Sequence, residues 1–168
     1  MSVKSIGESA FYNCSALETI DIPDSIKIIG KNAFQYCNSL EVINIPKSVK
    51  TINPETFYGC TSLTDVTIGD GVNSIGDDAF YNCSSLTSLK IGKSVTSIGA
   101  NAFDGCSSLK SCYCYAEKPP KVIASDWYST DSFLQYGNKA TLYVPLRCGS
   151  IYKKSTWNRF FTNIVEMD

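Results

Sequence analysis

The chain has no histidine among its 168 residues. That removes the commonest general base and the usual activator of a serine or cysteine nucleophile, so Ser–His and Cys–His triads are excluded. Charge is sparse, at 18% of residues, and nearly balanced, with a net charge of −1. No Lys or Arg cluster stands out in the linear sequence, so nothing suggests a nucleic-acid footprint. No apolar run is long enough to cross a membrane. The opening MSVKSIGESAF enters a repeat directly and lacks the apolar h-region of a signal peptide. What the chain does have is 43% hydrophobic residues, which suits a folded protein and excludes disorder.

Those apolar residues are periodic. Phe11, Phe34, Phe57, Phe80 and Phe103 are spaced by 23 positions; Cys14 to Cys106 and Leu17 to Leu109 keep the same step. A fixed period of that length predicts a solenoid whose coils stack, since no single coil can bury its own apolar face. Within a coil, Leu-x-x-Ile-x-Ile ends in the alternation of a strand with one buried face, as in Leu40, Ile43 and Ile45. The expected fold class is an α/β solenoid with one short parallel strand per coil, near 18–22, 41–45, 64–68, 87–91 and 110–114. Val-x-x-Ile-Gly reads as a second short extended or turn segment with a permissive glycine at the corner, replaced once by Asn53. Ala-Phe-x-x-Cys-x-x-Leu steps by three and suits a short helical or 3₁₀ turn.

The Phe column and the cysteines Cys14, Cys37, Cys60, Cys83 and Cys106 are expected in the core. A cysteine that recurs once per coil stacks on its own copy, a poor geometry for a disulfide, so these five read as small apolar residues. Cys112 and Cys114 fall on strand core positions. A disulfide from Cys106, Cys112 or Cys114 to Cys148 stays compatible with an oxidising compartment. As a metal set those four have spacing that fits no common zinc pattern, and no metal or cofactor is expected.

The period stops after Leu109, and Pro119-Pro120 marks the break. The organisation predicted is five repeats over 1–116 and a C-terminal cap over 117–168 with strand–helix–strand character. The cap holds both tryptophans, Trp127 and Trp157. Thr141 to Pro145 is strand-like, Ser150 to Phe161 reads as helical with Ile151, Trp157 and Phe161 buried, and Asn163 to Glu166 as a last strand.

The Ala-Phe-x-x-Cys turn, the Leu-x-x-Ile-x-Ile-Pro strand and the Val-x-x-Ile-Gly segment, in 23-residue units over residues 3–115, resemble the BspA-like class of leucine-rich repeats. Leu142 to Pro145, Gly149, Tyr152, Trp157, Phe160 and Ile164 also resemble an end module found after such repeats in bacterial surface proteins. The resemblance implies a non-catalytic binding or adhesion module, secreted or at the cell surface, whose ligand is a host or matrix protein.

Other chemistry reads poorly. Asp77-Asp78 could serve as a carboxylate pair, but the matching positions in other coils are Glu8-Ser9, Lys31-Asn32, Glu55 and Asn101, a variable solvated corner. Gly69-x-Gly71-x-x-x-x-Gly76 lacks the GK[ST] ending of a phosphate loop, and Gly76 is the repeat glycine. Asn13-Cys-Ser15 and Asn82-Cys-Ser84 match a glycosylation sequon only as by-products of the repeat.

The informative surface is the outward side of the strands. Alternation places Asn44, Thr67, Lys90, Tyr113 and Tyr115 there, and they are the expected ligand contacts. A further column is Tyr12, Gln35, Tyr58, Tyr81 and Asp104, one residue after each Phe. The leading functional reading is protein binding. The alternatives are a spacer within a longer surface protein and a glycan-binding module.

Overall fold

A computed structural model describes residues 2–123 and 139–168. The repeats lay down strands in a fixed order. β1 (Ser5–Ile6) and β2 (Ile28–Ile29) pair with each other. Then long and short strands alternate: β3 (Val42–Ile45), β4 (Thr51–Ile52), β5 (Asp65–Ile68), β6 (Ser74–Ile75), β7 (Ser88–Ile91) and β8 (Ser97–Ile98). β9 (Ser111–Cys114) and β10 (Lys121–Val122) close the repeat region. The tail adds β11 (Thr141–Pro145), α1 (Gly149–Lys153), a 3₁₀ turn (Thr156–Arg159) and β12 (Asn163–Met167).

Every strand pairing is parallel, and between repeats the step is 23 residues, as in Asn44–Thr67–Lys90–Tyr113, until β10, which pairs with β8 at a step of 24. The long strands form one six-stranded sheet in the order β12-β11-β9-β7-β5-β3, and four short strands form a second, in the order β10-β8-β6-β4. The chain is thus a parallel-strand β-solenoid. The helical component of the expected α/β class is confined, among the described residues, to the tail. In the repeats, Ala-Phe-x-x-Cys forms turns instead. Cys37 N–H donates to Phe34 O, and Leu40 N–H to Cys37 O, each three residues back. Alternate amides reach across to the next coil, as Phe34 N–H does to Thr56 O. With donors committed both within and between coils, no continuous helix propagates.

The core is made of like stacked on like. The rings of Phe11, Phe34, Phe57, Phe80 and Phe103 stack at 5.1–5.2 Å and within 8° of parallel. Each buried residue of this kind contributes about 1.5–3 kcal/mol before chain entropy. A buried cysteine of the following coil bonds back to each of the first four. Cys60 Sγ donates to Phe34 O at 3.2 Å, and Cys37, Cys83 and Cys106 repeat this on Phe11, Phe57 and Phe80. Cysteine suits the column because it is small and still supplies one weak donor. All eight cysteines are free thiols.

Several expectations need correction. Residues 18–22 form no strand, and Phe11 is only half-buried while Cys14 is exposed. This first coil has a neighbour on one side only, so its side chains lack half of their covering. Ile151 is 44% exposed on α1, whereas Tyr152, Trp157 and Phe161 are buried. Trp127 lies outside the described residues. The corner glycines serve close approach and not unusual dihedrals. A Cβ on Gly76 or Gly99 would meet the backbone of the previous coil within 2.6 Å. Where Asn53 replaces that glycine, its side-chain amide donates to Ile29 O at 2.6 Å. The left-handed backbone falls elsewhere, at two turn positions per coil: Ser9, Asn32, Glu55, Asp78 and Asn101, then Asn13, Tyr36, Gly59, Asn82 and Gly105.

Candidate functional site

Four of the five expected contact residues lie in one row. Asn44, Thr67, Lys90 and Tyr113 are in register across β3, β5, β7 and β9. Their neighbours along each strand, such as Ile43 and Ile45, point into the core, so alternation turns this row outward. The row continues into the tail. Tyr143 on β11 pairs with Tyr113, and Val165 on β12 pairs with Tyr143. The rings of Tyr113 and Tyr143 stack at 4.6 Å. The described strands of the tail, β11 and β12, therefore extend the face.

Tyr115 stands just beyond β9 and is 41% exposed. It lines a groove of about 370 Å³ with Lys93, Val95, Thr96, Ala116, Glu117 and Lys118. Tyr115 also shares a second groove with Asp70, Lys93 and Pro145. Lys93 is paired loosely with Asp70, Nζ to Oδ2 at 3.9 Å. Tyr113 thus lies on β9 in the aromatic row, and Tyr115 follows the end of that strand at the margin of the row.

Charge is graded along the face. At the expected strand positions Glu18, Asp21, Glu41 and Asp65 are exposed toward the first coils and Lys90 and Lys110 toward the last, whereas the column just beyond the strands, Asp24, Lys47, Asp70 and Lys93, alternates in sign. Backbone bonds place Glu18, Glu41, Thr64, Thr87 and Lys110 in one line, each amide donating to the residue 23 before it. Such a gradient orients a charged partner as well as attracting it.

Tyr143 is the contact the sequence did not phase. Its strand was legible, but the break between β10 and β11 removes the 23-residue step that assigned the other positions. A second correction concerns the turn column. Gln35 is buried, its side chain turned toward Asn32 and Glu55. Tyr36 takes the outward place, between Tyr12 and Tyr58. Asp77 is consumed structurally, its Oδ1 accepting from Ala100 N–H at 2.8 Å. The buried Cys112 and Cys114 pack as their phase requires, and the Tyr152 hydroxyl reaches Cys114 Sγ at 3.2 Å.

The family model of the BspA-type leucine-rich repeat region matches six copies over residues 1–110. The chain belongs to the BspA-type leucine-rich repeat family. Among solved structures, the leucine-rich repeat protein of T. pallidum is 33% identical with TM-score 0.64, over 67% of this chain and 53% of that one. A leucine-rich cell surface protein of Faecalibacterium prausnitzii is 29% identical with TM-score 0.66, over 85% of this chain and 45% of that one. The pneumococcal vaccine antigen PcpA shares the fold at 16% identity and TM-score 0.61, over 90% of this chain and 42% of that one. The BspA-type chain described here thus spans about half the length of these proteins. No curated protein matches it. Among the described residues no helix is long and apolar enough to cross a membrane.

Proposed function

We propose that this BspA-type chain is a non-catalytic protein-binding module of a secreted or cell-surface protein, and that its ligand is a host or matrix protein held on the six-stranded sheet. The observation that carries the reading is the outward row Asn44–Thr67–Lys90–Tyr113, lengthened by Tyr143. Tyrosine buries a large area with few rotatable bonds, so rings fixed on a rigid sheet make low-entropy anchors. The acidic-to-basic gradient gives the partner one preferred orientation. Residues 117–168 act as the cap of the repeats over 1–116. Tyr152 fastens it to the repeats through a bond to Ala116 O at 2.7 Å, and Trp157 holds the cap's own first residues through Pro120 O at 2.9 Å. Surface location is supported by the cell-surface relative from Faecalibacterium prausnitzii.

The test is a panel of immobilised matrix proteins probed with the parent and with a Tyr113→Ala/Tyr115→Ala variant. The expected result is binding to at least one panel member, weakened at least tenfold in the variant, about the loss of one modest hot spot. Absence of binding across the panel, or equal binding by a folded variant, overturns the reading.

A further inference from the structure

A row of tyrosines runs along the turn side of the solenoid, away from the sheet. Tyr12, Tyr36, Tyr58 and Tyr81 follow one another with ring centroids 5.9, 5.5 and 5.0 Å apart. Tyr12 is 50% exposed and Tyr36 is 37% exposed. A strict 23-residue step would put Gln35 and not a ring in the second place. The ring arrives from the next residue instead, and at a conformational cost. Tyr36 has φ of 60°, the left-handed region, where the equivalent residues are Asn13, Gly59, Asn82 and Gly105. A tyrosine there is strained, while asparagine and glycine are not. Gly59 in the following coil clears the space: a Cβ on it would lie 2.6 Å from Tyr36 Cδ1.

The surroundings of this row are acidic. Lys31 Nζ meets Glu55 at 3.2 Å, and Asn32 and Gln35 also donate to that carboxylate. Asp77, Asp78 and Asp104 have no cationic partner among the described residues. Asp104 holds the place in step after Tyr81 and spends one oxygen on Gly105 N–H. Burial raises the Asp78 carboxyl above its ordinary range; Asn101 lowers it by hydrogen bonding, and Glu55, Asp77 and Asp104 add to the rise. Aromatic faces carry a negative quadrupole of their own. The edge thus offers aromatic surface and uncompensated negative charge together.

We propose that this tyrosine edge binds a basic segment of a partner protein, its arginine or lysine side chains seated against Tyr36, Tyr58 and Tyr81 and neutralised by Asp78 and Asp104. Arginine fits best, because its planar guanidinium stacks on a ring while its N–H groups reach a carboxylate. The edge lies on the turn side, so the proposal stands whether or not the sheet-face reading holds.

The test uses the full chain with three probes: a short arginine-rich peptide, a lysine-rich peptide and a neutral cello-oligosaccharide. Titration calorimetry should show the arginine peptide binding, more weakly as salt rises, with the lysine peptide weaker. Tyr36→Asn should cost about 2–5-fold in affinity, as one exposed ring–cation contact does. Tyr58→Ala and Asp78→Asn should each weaken binding, and Asp168→Asn, exposed beyond β12, should leave it unchanged. Because asparagine accepts the left-handed backbone, Tyr36→Asn should melt at or above the parent temperature. A lower melting temperature for that variant would assign Tyr36 to covering the core and overturn the proposal. So would arginine-peptide affinity unchanged in Tyr36→Asn and Tyr58→Ala, or binding of the cello-oligosaccharide alone.

Discussion

Tyr113 and Tyr143 face each other at 4.6 Å with their rings 11° from parallel, although the sequence between them contains the break in the repeat. The contact exists because β11 joins β9 in parallel, with Thr141 N–H donating to Lys110 O at 2.9 Å. Strands β11 and β12 of the tail are therefore a continuation of the long sheet. β12 then pairs with β11 over five residues, and Glu166 ties the start of α1 by accepting from Gly149 N–H at 2.8 Å. A parallel sheet that would present an open strand at β9 is carried on by two more.

The Phe ladder should be unequal in energy. Phe57 has a ring on either side and is fully buried, while Phe11 has a ring on one side and is half-buried. Phe57→Ala should cost about 3–5 kcal/mol, and Phe11→Ala clearly less. Urea unfolding of the two variants checks this. Equal losses would mean that the first coil is covered as fully as the third.

Thiol reactivity should divide the cysteine column in two. Cys14 is exposed, whereas Cys37, Cys60, Cys83 and Cys106 are buried and donate to carbonyls of the previous coil. Burial pushes the Cys60 thiol up to about 12, with the neighbouring Cys37 adding to the rise. In native protein a maleimide reagent should modify Cys14 within the time that leaves those four untouched, as read by peptide mass spectrometry. Rapid labelling of two or more of the four would contradict the packing.

The same burial makes the fold sensitive to alkali. The Cys60 thiol titrates near 12 in the folded chain against an ordinary 9.0. Cys83 is raised as well, by burial first and then by Cys106. A folded value above the unfolded one means the stabilisation is complete below about pH 9 and is lost as pH rises toward 12. Cys60 should then lower stability by roughly 1.4 kcal/mol per pH unit across that window, and Cys83 acts in the same direction. Urea midpoints measured from pH 7 to pH 11, followed by fluorescence, should stay flat to about pH 9 and then fall. Replacing Cys60 by Ala should reduce the slope by about one proton's worth.

The solenoid was legible because a 23-residue step needs no tertiary information: Ile43, Val66 and Leu89 announce both the strand and its register. The face followed from alternation alone, which is why Asn44, Thr67, Lys90 and Tyr113 fall in one row. What was not legible depended on contacts with no period. Tyr143 reaches the row across a segment that breaks the step. Tyr36 enters the turn row by a left-handed backbone that its residue type disfavours, and Gln35 turns inward to Glu55. The corner glycines looked like devices for unusual dihedrals because spacing cannot distinguish that use from close approach. Residues 18–22 carry the right letters, yet their place in the first coil leaves them without a strand ladder.

Native-state amide hydrogen exchange tests most directly whether one sheet runs from β3 through β12, on which the shared row of Asn44, Thr67, Lys90, Tyr113 and Tyr143 depends. The amides along β11, Thr141 foremost, should exchange only with global unfolding, at rates matching those of Leu89 and Lys90 in β7. Exchange along β11 at the rate of exposed amides, while β7 stays protected, would contradict the continuous sheet and with it the extended binding face.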